Sequence, residues 1–139
     1  MVRLKFFGLL VFLVSFIAAC RPGQAPSSET VIKSVKSGDM DISLAGKTGT
    51  LQSGENDLLL VFADSSGKTV DVGAASLVFH MPAMGTMAEM NNLAELTTTD
   101  TPGKYHARVK LEVGGTWEAR IAYEGPAGKG KAAMSVQSK

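Results

Sequence analysis

Four methionines recur at intervals of three in "FHMPAMGTMAEM", at Met81, Met84, Met87 and Met90, with His80 beside the first. Seven of the 139 residues are methionine, so more than half of them fall in this one short stretch. Thioethers are soft, neutral ligands that suit Cu(I) and suit Zn²⁺, Mg²⁺ or Ca²⁺ poorly. Because they need no deprotonation, a thioether site keeps its affinity at mildly acid pH. His80 adds an imidazole, the commonest metal ligand among side chains. The same residues have two other readings: apolar filler at an irregular corner of a core, or an adaptable docking patch for another protein.

Geometry decides among these. In an extended segment, residues three apart lie about 9–10 Å from one another. The sulfurs meet only if Pro82 and Gly85, both turn-compatible, bring the chain back on itself. Met81 alternates with Leu77 and Phe79 on what should be an inward strand face. Met84, Met87 and Met90 lie in or near the expected loop and are the main ligand candidates, with Met81 and His80 auxiliary. His106 sits among Arg108, Lys110 and Glu112 and reads as part of a solvated face.

The elements that position this stretch are short strands. In "KYHARVKLEV", Tyr105, Ala107, Val109, Leu111 and Val113 share one face and His106, Arg108, Lys110 and Glu112 the other, the period of a half-buried strand. "GG" at 114–115 predicts a hairpin turn. "TWEARIAYE" then repeats the alternation, with Trp117, Ala119, Ile121 and Tyr123 inward. "VIKSVK", "MDISLAG" and "TGTLQSG" suggest two or three earlier strands, "NDLLLVFADSSGKTV" a strand, turn and strand, and "GKAAMSVQ" a last edge strand. Leu58 to Ala63 is apolar on both faces, which calls for a cover on its outer side. This pattern predicts an all-β domain over 30–139, an immunoglobulin-like antiparallel β-sandwich. One segment is ambiguous: "TMAEMNNLAEL" has Thr86 and Glu89 at capping-box spacing and Met87, Met90 and Leu93 at helical intervals. Against a helix stand Asn91, Asn92 and the threonines at 97–99.

The chain opens "MVRLKFFGLLVFLVSFIAAC": Arg3 and Lys5, an apolar run from Phe6 to Ile17, then Ala18, Ala19 and Cys20. Charge, short apolar run and small residues form an export signal, too short for a spanning helix. "IAAC" resembles the lipobox of bacterial lipoproteins, with Ile17 where Leu is more usual. The resemblance implies cleavage after residue 19 and acylation of Cys20, the only cysteine. The partner is then a bacterial membrane, held through lipid, and the location extracytoplasmic. Arg21 in place of Asp points to the outer membrane of a cell that has two. "RPGQAPSSE" completes a flexible tether over 20–29.

Cleavage leaves 120 residues, one ordinary domain, with 12 basic and 13 acidic side chains in no cluster of either sign. That balance argues against nucleic acid and anionic lipid surfaces as partners. There is no nucleophile motif, phosphate-binding glycine loop, HExxH or CxxC, so the expectation is a protein that is not an enzyme.

Asp64 and Gly67, then Phe79, Met81, Pro82, Ala83 and Met84, then Pro102, Gly103, Tyr105, Ala107, Gly115 and Trp117 together resemble the YtkA-like family, related to FixH. Ala88 stands where relatives often have Pro. The resemblance implies an extracytoplasmic immunoglobulin-like domain. It also implies a setting beside copper efflux components or cytochrome oxidase assembly factors, whose proteins are the candidate partners.

Overall fold

The structure is a computed structural model and describes residues 28–139. The signal segment, Cys20 and most of the tether therefore lie outside the described residues. Nine strands run in chain order: β1 Thr30–Ser37, β2 Met40–Gly46, β3 Gly54–Asp64, β4 Ala74–Met81, β5 Met90–Leu93, β6 Glu95–Thr98, β7 Lys104–Leu111, β8 Gly115–Gly125 and β9 Gly128–Ser138. They form two antiparallel sheets, ordered β1-β2-β3-β7-β6 and β5-β4-β8-β9. The all-β sandwich expected from alternation is the fold found.

Alternation sets which residues face between the sheets. Tyr105, Ala107, Val109 and Leu111 of β7 are buried, as are Trp117, Ala119, Ile121 and Tyr123 of β8. Leu58, Leu60 and Phe62 of β3, Leu77, Phe79 and Met81 of β4, and Met134 and Val136 of β9 complete the core. The outer side of β3 is half-buried at Leu59, Val61 and Ala63, where the strand lies between β2 and β7.

The structure corrects two local expectations and resolves an ambiguous third. The glycines at 114–115 do not close a hairpin, because β7 pairs with β3 and β6 whereas β8 pairs with β4 and β9. Both strands carry one apolar face, and the chain buries both by crossing from one layer to the other. Trp117 secures the crossing by donating from Nε1 to the Val113 carbonyl at 3.2 Å. "TGTLQSG" is a connection with one bridge, Leu51↔Ser138, and "KTV" has one, Ala63↔Thr69. The 86–96 segment holds strands β5 and β6 and no helix. Leu93, on the supposed helical stripe, is 71% exposed. The chain changes sheets here at buried Ala94, whose N–H donates to the Leu77 carbonyl at 2.9 Å. Asn92 adds an amide donor to the Lys110 carbonyl of the facing sheet.

Segment 69–73 crosses one end of the sandwich and locks it. Val70 donates to the Phe62 carbonyl, Phe62 to that of Gly103, and the Tyr105 hydroxyl to that of Gly73, at 2.9, 2.9 and 2.7 Å. The Phe62 ring lies edge-on to Tyr105 and Tyr123, with centroids 5.8 and 5.4 Å away. Gly103 has φ +87°, and a Cβ there would collide with the Val70 carbonyl.

Two outcomes follow from this end. Gly103→Ala combines left-handed strain with a backbone collision, and should lose about 2–4 kcal/mol in urea denaturation. Burial, and secondarily Asp71, push the Tyr105 phenol above its usual range. The folded state thus holds that proton more tightly, so this contribution is complete below about pH 10 and is lost as pH rises through the folded value. The urea midpoint should fall more steeply above pH 10 in the parent than in Tyr105→Phe.

Candidate metal centre

The methionine stretch is one hairpin. β4 and β5 pair as Val78↔Leu93, Phe79↔Asn92, His80↔Asn91 and Met81↔Met90. The same register reappears at the tip, where Met84 and Met87 exchange backbone hydrogen bonds of 3.1 and 2.9 Å. Only Gly85 and Thr86 remain for the turn. Gly85 has φ +56° and Thr86 has no positive φ, which matches a II′ turn with glycine at its first central position. Pro82, without an N–H, interrupts the ladder between the two paired regions.

The three-residue spacing thus becomes two cross-strand pairs, Met81 with Met90 and Met84 with Met87. Alternation sends them to opposite faces of the ribbon. Met81 is 1% exposed within the core, and Met90 is half-buried against it. Met84 and Met87 are 56% and 42% exposed. The structure therefore brings Met84 and Met87 together and separates them from Met81. Directly opposed side chains on an antiparallel pair have Cβ atoms about 4.5–5.5 Å apart. Two unbranched thioethers can close on one ion from that distance. Among the described residues, no three His, Cys, Asp or Glu side chains gather where they could hold a metal.

His80 lies on the outer face of the β5-β4-β8-β9 sheet, opposite Met81. Its Nδ1 is 2.8 Å from the Asn91 Oδ1. With Nδ1–H donating to that carbonyl oxygen, the Nε2 lone pair is left free, the arrangement that orients metal-binding imidazoles. Across β8, the residue paired with His80 is Glu118. Glu118 and Met84 both line a hollow of about 370 Å³, with Pro82, Thr116, Trp117, Ala133, Met134 and Ser135 around it. The Glu118 carboxyl is ion-paired with Arg120. It is held below its usual range first by that hydrogen bond, then by the Arg120 charge. In sequence Glu118 reads as one more solvated charge; its place beside His80 depends on strand order, which no local pattern encodes.

The other candidates lie apart. His106 is exposed on the outer face of the opposite sheet, beside the 3.2 Å Arg108–Asp57 ion pair. Met134 is buried and Met40 begins β2 in the opposite sheet.

The YtkA-like family matches residues 34–122, which run from β1 almost to the end of β8. The chain belongs to the YtkA-like family. Several residues that carry the resemblance in sequence have structural tasks here: Asp64 accepts from the Ser66 and Lys68 N–H groups in the turn after β3, Gly103 makes room for Val70, and Trp117 fills the core. No curated protein matches the chain. Among solved structures, the fold is similar to FetP of uropathogenic Escherichia coli strain F11, as isolated after expression in the E. coli periplasm. That match has TM-score 0.51 at 10% identity, covering 78% of this chain and 95% of that one. A copper-bound variant of the same FetP aligns at TM-score 0.49 and 11% identity, with the same coverages.

Peroxide footprinting checks this placement. Met84 and Met87 should gain oxygen at least ten times faster than Met81 and Met134 in peptide mass spectra, since access governs thioether oxidation.

Proposed function

We propose that this YtkA-like protein is an extracytoplasmic, lipid-anchored domain that binds Cu(I) through Met84 and Met87 and hands it on by thioether ligand exchange, in copper efflux or oxidase assembly. The observation that carries the reading is the opposed pair of exposed methionines at the hairpin tip. A methionine that serves only as filler is buried, as Met81 is. Two neutral thioethers leave Cu(I) open to further ligands, which is the condition for passing it to a partner's site. Met90, expected as a third donor, lies on the opposite face of the hairpin, half-buried against the core. His80 is auxiliary, and Met81 remains with the core. Anchoring rests on the export signal and the lipobox-like "IAAC", with several acyl chains at about 0.8 kcal/mol per buried CH₂. The reading is of a carrier and not of an enzyme.

The same exposed methionines, with exposed Leu93 at the far end of β5, also fit an interaction module that docks on an efflux or respiratory protein without metal. Titration of Cu(I) against a competing chelator separates the two. Met84→Ala/Met87→Ala should bind at least tenfold more weakly than the intact domain, with its thermal midpoint unchanged because both side chains are exposed. Equal, weak competition by both proteins would leave the docking module as the reading.

A further inference from the structure

The outer face of the β5-β4-β8-β9 sheet gathers a second kind of donor. We infer that His80, Glu118 and Met84 form a mixed nitrogen, oxygen and sulfur site that binds Cu(II), centred on Glu118.

Three observations place the donors. His80 and Glu118 are directly paired between β4 and β8, so both side chains rise from the same face at the closest lateral spacing a sheet offers. The Asn91 carbonyl oxygen holds Nδ1 of His80 at 2.8 Å and leaves Nε2 as the available ligand. Met84 lines the same hollow as Glu118, together with Ser135, the partner of Glu118 on β9, and His80 is paired with Glu118 from outside that lining. Glu118 thus has an imidazole on one flank, a hydroxyl on the other and a thioether over the same hollow.

The ligand class selects the ion. Imidazole and carboxylate suit divalent transition metals, and among these Cu(II) binds a given nitrogen and oxygen site most tightly. The Glu118 carboxylate is paired with the Arg120 guanidinium on a half-exposed surface, so a cation displaces one exposed salt bridge and creates no buried charge. The site overlaps the Cu(I) reading at Met84 and at the auxiliary His80, and Glu118 belongs to the Cu(II) site alone. Together they would give one hairpin a seat for each oxidation state.

Cu(II) titration of the full domain with a competing chelator, together with electron paramagnetic resonance, tests the site. His80→Gln and Glu118→Gln should each weaken Cu(II) binding at least tenfold, and His80→Gln should abolish the nitrogen hyperfine splitting. His106→Gln, on the opposite sheet, should leave both unchanged. Parent-like Cu(II) affinity in His80→Gln and Glu118→Gln, or loss of the signal in His106→Gln, would overturn the proposal. Chelator competition with Cu(I) on the same variants keeps the two ideas distinct: Glu118→Gln should retain Cu(I) whether or not it retains Cu(II).

Discussion

The register of the β4–β5 hairpin is the constraint on which the site depends. Because the Met81↔Met90 alignment continues to Met84↔Met87 about a two-residue turn, each methionine meets another methionine across the ribbon. Because side chains on a strand alternate, neighbouring pairs point to opposite sides. A slip of one residue would expose the buried pair and bury the exposed pair. Gly85 allows the turn, Pro82 keeps the tip from simply extending the ladder, and Ala94 carries the strand into the facing sheet. The division between core sulfur and surface sulfur follows from these three residues.

The rest of the sandwich holds that hairpin still. β4 is flanked by β8, whose Trp117, Ile121 and Tyr123 fill the core, and the far edge of the same sheet, β9, lies beside β1, whose Ser37 hydroxyl donates to the Lys131 carbonyl. A rigid base with an exposed tip suits ligand exchange. The donors stand outside the core, so metal entering or leaving disturbs no packing.

Much of this was legible in sequence wherever a single strand carried the information. The alternation in "KYHARVKLEV" and "TWEARIAYE" named the inward residues, and Met81 fell in line with Leu77 and Phe79. What depended on pairing was not legible. The double glycine at 114–115 has the same composition whether it turns within a sheet or between sheets, and the choice is made by the need to bury two apolar faces against each other. Helical spacing of Met87, Met90 and Leu93 arose from hairpin symmetry, a coincidence of period that local propensity could not separate. Glu118 and Asn91 acquired meaning only when β4 came to lie between β5 and β8.

The most direct measurement is methyl-labelled methionine NMR of the domain during Cu(I) addition. The account predicts that the Met84 and Met87 methyl signals shift together at the first equivalent, while those of Met81 and Met134 stay in place. Unmoved Met84 and Met87 signals, or an equal shift at Met81, would contradict it.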